Sequence, residues 1–430
     1  MEYIKKIILL GCVIGMLAGC VRENNNKTDN SNQNSTSDNN SETEVAIKHP
    51  KTSSQKAEDM LNEMTLEEKV AQLFIVDIDS LNEGVTVVNI NNKIEGLLED
   101  YPVGGVIFFS NNIIDISQTN NLINDLQKKS NLPLFVSVDE EGGIVSRIAN
   151  NENMHATVLP GNEVIGKTGD TENAYKVGQI LGKELKALGF NMNFAPVADV
   201  NTNPNNPIIG PRAFGSDPEK VGNMVAKMVE GIQNESVSAV LKHFPGHGDT
   251  STDTHKETVY VDHNIERLRE IEFAPFKMGM DANVDAIMTA HISMPNVTDD
   301  NLPATMSKQI ITDILRDELD YEGLIITDAL NMKAISDYYS MGEAAVNAID
   351  AGCDVLLMPI PFTEAYDSIL QAVSSGDITE ERINESVRRI LKVKYKLGLF
   401  SEEEFALDTE EVLGSEEHNA IVEEIKSMVE

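Results

Sequence analysis

The chain has 430 residues, 70 of them acidic and 34 basic, for a formal net charge of −36. A surface that acidic repels polyanions, which excludes nucleic acid as a partner. Three cysteines, two of them within the first 20 residues, leave Cys353 alone in the remainder, so an intramolecular disulfide and a cysteine-based metal site are both excluded there.

Residues 1–20 read as an export signal. Lys5 and Lys6 supply a basic start, Ile7 to Leu17 an apolar core, and Leu17-Ala18-Gly19-Cys20 a run of small residues before a cysteine. The apolar core is shorter than the ~20 residues that span a bilayer. The LAGC run resembles the lipobox of bacterial lipoproteins, which implies a lipid on Cys20 and an extracytoplasmic protein anchored to the cell membrane. Residues 21–46 are polar and of low complexity; they bury too little to offset their ordering entropy and read as a flexible tether.

From 47 to 400 short apolar runs alternate with amphipathic helices. Strands are expected at 73–77, 105–109, 134–138, 190–197, 238–241, 286–290, 323–327 and 353–358. Between them, Val177, Ile180, Leu181, Leu185 and Leu188 share one face of a helix over 174–188, and Ile310, Ile311, Ile314 and Leu315 share one over 307–319. Gly189 and Gly352 stand where helix C-termini are expected. Two further helices, over 363–374 and 379–397, would pad the outside. Eight strands alternating with helices imply a parallel sheet buried on both faces, and eight is the number that closes a (β/α)8 TIM barrel. An open doubly wound sheet is the competitor, but no Gly-x-Gly-x-x-Gly turn follows the first strand.

In a barrel the chemistry collects at the C-terminal ends of the strands. Asp139-Glu140-Glu141 follows the third strand, Asp199 the fourth, Lys242-His243 the fifth, His291 the sixth and Asp328 the seventh. The densest stretch is Ala239 to His255, AVLKHFPGHGDTSTDTH, an apolar strand broken by Pro245, Gly246 and Gly248 into a loop that holds three histidines and two aspartates. His243 and His247 are four apart, as helical metal ligands would be, but Pro245 and Gly246 argue against a helix between them. No metal and no cofactor is expected, and His247 is read as a residue that shapes the loop.

Lys242-His-Phe-Pro-Gly-His-Gly-Asp-Thr-Ser-Thr-Asp-Thr-His255 resembles the signature of glycoside hydrolase family 3, in its β-N-acetylglucosaminidase branch. Val138-Asp-Glu-Glu-Gly-Gly-Ile-Val-Ser-Arg147, Ile209-Gly-Pro-Arg-Ala-Phe-Gly215 and Ile325-Ile-Thr-Asp-Ala-Leu-Asn-Met332 resemble further motifs of that branch, in the same order. The resemblance implies Asp328 as the nucleophile of a retaining hydrolase, with His255 as acid/base oriented by Asp253. A histidine can give and take a proton near neutral pH, and a neighbouring carboxylate can hold its tautomer. It also implies Asp139, Arg147, Arg212, Lys242 and His243 as the sugar-binding set, with His291 as a further candidate facing substrate. The plainer readings are a helix N-cap for Asp328 and structural ion pairs for the two arginines.

What the resemblance implies is release of terminal non-reducing N-acetylglucosamine from peptidoglycan fragments (muropeptides). A phosphorylase of the same family and a non-catalytic sugar-binding surface lipoprotein are the alternatives. The acidic tail 401–430 reads as weakly ordered, and 416–429 as the lead-in to an absent second domain.

Overall fold

The computed structural model describes residues 51–250, 259–401 and 408–429. The expectations for Cys20, the tether, Asp253 and His255 lie outside the described residues. Thr52–Glu430 forms one compact unit, and it is built on eight parallel strands. These are β1 (Phe74–Asp77), β2 (Gly105–Phe108), β3 (Phe135–Val138), β4 (Met192–Asn193), β5 (Ser238–Phe244), β6 (Ala286–Thr289), β7 (Leu324–Ile326) and β8 (Leu356–Leu357). All eight coincide with the apolar runs of the sequence.

In space the strands follow chain order from β1 to β7, and β8 lies on the other side of β1. A parallel bridge between Ile326 and Val355 brings β7 to the approach of β8. Thr327 N–H donates to Val355 O (2.9 Å) and Leu330 N–H to Leu357 O (2.9 Å), which completes the ring. Runs of Val, Ile and Phe suit this geometry because the interior side chains and the helix-covered side chains are both out of water. Phe74, Phe108, Phe135, Phe190, Phe194 and Phe244 are all fully buried.

The helices start and stop where local chemistry says they should. Thr52, Thr65 and Ser340 form capping boxes with Gln55, Glu68 and Glu343. Gly189 (φ 93°) and Gly352 (φ 120°) end the helices Thr171–Leu188 and Met341–Ala351 in the left-handed conformation, as expected of them.

Two departures from the sequence reading have local causes. β4 is two residues long rather than eight. Pro196 has no N–H to give, and the side-chain amides of Asn191 and Asn193 add to the main-chain bonds on the β3 side: Val136 N–H donates to Asn191 Oδ1 (2.9 Å) and Glu140 N–H to Asn193 Oδ1 (3.0 Å). The tail after 407 is folded. Its helices Thr409–Val412 and Glu416–Ser427 bury Val422 and Ile425. Glu184, in the helix Thr171–Leu188, accepts from Gly414 N–H (3.0 Å) and bonds the ring of His418 (2.9 Å). The acidic composition hid an amphipathic helix with a partner on the barrel wall.

Candidate active site

The C-terminal ends of β3 to β7 meet in one mouth, and charge pairing defines it. Lys242, near the end of β5, is almost fully buried, and its ammonium lies 2.7 Å from Asp139 and 2.6 Å from Glu141. Arg212, on the loop after β4, donates bidentately to Glu141 at 2.9 and 2.7 Å. Burial opposes the charge on Glu141, but Lys242 and Arg212 outweigh it and hold its carboxyl at about 2. The same burial pulls the Lys242 ammonium down, and Asp139 and Glu141 more than reverse it, so its pKa is raised. Glu141 and Lys242 are therefore ionised at neutral pH. Of the four, Asp139 keeps the most exposed side chain, at 20 %.

A second network holds the loop after β5. Asp199 is completely buried beyond β4. Its carboxylate takes the His243 ring (2.7 Å), His247 N–H (2.6 Å) and His243 N–H (3.3 Å). Burial works against its ionisation, and the charge and hydrogen bond of His243 lower its pKa all the same. His247 bonds the Thr250 hydroxyl through Nδ1 (2.6 Å), and its backbone carbonyl accepts from Asn206 (2.8 Å). Burial first, then the neighbouring His243, lowers its pKa, while Asp199 and Asp328 pull the other way. His247 thus shapes the loop, and it stands within electrostatic reach of both Asp199 and Asp328. Gly248 is required here, because a Cβ would lie 1.9 Å from Val200 O. His243 and His247 face each other edge to face at 5.9 Å, one on a strand and one in a loop, not on the single helix that a spacing of four would suggest.

Asp328 follows β7, half-buried, with Oδ1 accepting Ala329 N–H at 2.7 Å. No helix starts at Asp328; the next, Lys333–Ser336, is four residues long and its N-terminal flank is Met332, so the N-cap reading of Asp328 fails. His291 follows β6. It is fully buried, its ring nitrogens bonding Thr305 Oγ1 (2.9 Å) and Ala329 O (3.0 Å). It ties Ala329, the residue after Asp328, to Thr305. Arg147 lies over the Phe109 ring, 5.9 Å from its centroid.

Three groups that matter to this geometry were not assigned a role from sequence: Glu140, Glu141 and Asp199. The available signal was electrostatic. A lysine and two arginines assigned to one barrel mouth need buried counter-charges, and three consecutive acids at a strand end are the obvious supply.

Residues 65–393 match the glycosyl hydrolase family 3 N-terminal domain. The chain belongs to glycosyl hydrolase family 3. It is 38 % identical to a beta-hexosaminidase A of Pseudoalteromonas piscicida over 71 % of this chain and 55 % of that protein. Its fold is similar to that of a family 3 beta-N-acetylglucosaminidase from a Paenibacillus species, with a TM-score of 0.80 and 40 % identity over 85 % of this chain and 69 % of the other. It is also similar to a beta-glucoside phosphorylase, BglX, with a TM-score of 0.77 and 26 % identity over 87 % of this chain and 66 % of that one. The chain therefore spans little more than half the length of the Pseudoalteromonas relative. What the family 3 barrel supplies here is a mouth in which two carboxylate-centred networks, on Glu141 and on Asp199, stand with the carboxylate of Asp328.

Proposed function

We propose that this family 3 protein is a retaining exo-β-N-acetylglucosaminidase that removes terminal N-acetylglucosamine from peptidoglycan fragments. The observation that carries the reading is the position of Asp328. It is a half-buried carboxylate at the end of β7, sharing the mouth with the Lys242, Asp139 and Arg212 charges. In the proposed reaction Asp328 attacks the anomeric carbon to form a glycosyl ester, and His255, held by Asp253, protonates the departing oxygen. A water that His255 then deprotonates cleaves the ester, so the two inversions leave the β configuration. Asp139 accepts from sugar hydroxyls while Lys242, His243 and Arg147 donate. Arg212 acts at one remove by holding Glu141 against Lys242. The names of the similar enzymes support N-acetylglucosamine as the sugar. The lipobox-like start supports an anchor at Cys20 and a site of action outside the cytoplasm.

The test is turnover of an aryl β-N-acetylglucosaminide beside Asp328→Ala, with the product anomer followed by NMR. Free β-N-acetylglucosamine as first product, and a loss on the order of a thousandfold or more in the variant, are expected. An α-anomer as first product would overturn the double displacement. A second reading is favoured by the likeness to the β-glucoside phosphorylase: phosphate in place of water at the ester. Sugar 1-phosphate formed only when phosphate is added would establish that reading instead.

A further inference from the structure

Glu140 sits between two residues of the proposed sugar-binding mouth yet points into neither. Its carboxylate is buried and turned back into its own loop, where it gathers four donors from one short stretch. Arg147 N–H lies at 2.6 Å, Ile148 N–H at 2.9 Å and Ala149 N–H at 3.4 Å, and the Ser146 hydroxyl completes the set. Its backbone is pinned from the other side by Asn193, whose side chain accepts Glu140 N–H (3.0 Å) and donates to Glu140 O (2.8 Å). The residue is thus fixed to β4 by its main chain and holds the segment 146–149 by its side chain.

That segment carries Arg147, whose own side chain is weakly held. Among the described residues its Nε is buried without a hydrogen-bond partner, and the guanidinium rests over Phe109. The side chain does not anchor itself, so its place is set by where its backbone is held. The strongest hold on that backbone is the 2.6 Å bond to Glu140. The immediate neighbours of Glu140 are Asp139 and Glu141, both bonded to Lys242. One carboxylate therefore ties the position of Arg147 to that of Asp139. A buried carboxylate is a costly way to close a loop unless position matters, because its desolvation has to be offset by every donor it collects. Supporting groups of this kind fix contact residues to within a fraction of an ångström.

We infer that Glu140 is a positioning residue for sugar binding: it sets the distance between Asp139 and Arg147, and so the affinity of the mouth, without touching substrate. The inference rests on the sugar-binding reading above.

Glu140→Gln keeps the shape but leaves one acceptor oxygen where there were two, so that two of the four donors face an N–H₂ instead of an acceptor, and it removes the charge. It is expected to raise KM for the aryl N-acetylglucosaminide at least tenfold with kcat within about threefold of wild type, and to weaken binding of free N-acetylglucosamine, measured by calorimetry, by the same factor. Glu140→Asp, which keeps the charge on a shorter arm, should recover part of the loss. Ser146→Ala removes one donor from the far side and should raise KM about two- to fivefold with the melting temperature nearly unchanged; it serves if the Glu140 variants fail to fold. Unchanged KM and sugar affinity in these variants would overturn the inference, as would a collapse of kcat at constant KM. Should the wild-type protein bind the sugar and Glu140→Gln bind it equally well, only the positioning role falls. If the wild-type protein neither cleaves nor binds it, the sugar-binding reading falls as well.

Discussion

Lys394 is fully buried at the foot of the barrel, a site where a charge is poorly served. Among the described residues its ammonium has one hydrogen-bond acceptor, Gln72 Oε1 at 2.7 Å, and lies 5.0 Å from the centroid of the Phe135 ring. Burial pulls its pKa down to about 7. A lysine whose folded pKa lies below its unfolded value weakens the fold most at low pH, because the unfolded chain binds the extra proton. That penalty is lost as pH rises from about 7 towards the ordinary value, so stability climbs across this window. Lys394→Met removes the charge but leaves Gln72 short of a donor, at about 1 kcal/mol. The melting temperature of the variant relative to wild type should therefore fall steadily between pH 7 and pH 10, over a span on the order of 3 kcal/mol. A difference that stays constant with pH would show that Lys394 titrates in the fold as it does in the unfolded chain, so that burial does not depress its pKa. Asp139, Glu140 and Glu141 make the complementary point. Three adjacent acids bond to Lys242, to their own loop, and to Arg212 with Lys242, and no periodicity in the sequence distinguishes them.

Among the elements, the junction of β7 with β8 depends most on a single side chain. Asp354, completely buried, accepts Ile325 N–H (3.0 Å) and the Ser386 hydroxyl (2.7 Å), pairs with Arg389 (3.2 Å), and bonds Arg316. It thereby joins a strand to the helices Gln309–Glu318 and Glu380–Lys396. Burial raises its pKa, but Arg316, Arg389 and Arg382 outweigh that and leave it lowered. The stabilisation is present above the ordinary carboxyl pKa and is lost as pH falls through the lowered one. Asp354→Asn leaves the arginines without their counter-charge and is expected to destabilise by roughly 3–5 kcal/mol, seen as a melting temperature lower by several degrees. A variant that melts with wild type would mean that the backbone pairing closes the barrel unaided. The apolar runs announced both strands; their shared anchor was not legible, because Arg316 and Asp354 are 38 residues apart.

For the whole molecule, the proposed anchor gives a direct expectation. Wild-type protein made in its native setting should fractionate with membranes, and Cys20→Ala should move it to the soluble or precursor fraction; equal partition of the two would remove the lipoprotein reading. The sequence by itself determined the strand count, the parallel alternation with helices, the caps at Gly189 and Gly352, and the strand ends at which chemistry collects. These depend on hydrophobic period and turn residues, which act over a few positions. It left open how the charges pair, since Lys242 meets Asp139 across 103 residues and Arg212 meets Glu141 across 71. It also misjudged the tail, whose acidic helix is held by Glu184, more than two hundred residues earlier in the chain. Only the tertiary structure decided that Glu141 holds two cations, that His291 joins Thr305 to Ala329, and that Glu140 faces its own loop. The reason is physical: a strand announces itself through its own side chains, whereas the role of a buried charge is set by whichever opposite charge or N–H the fold brings against it.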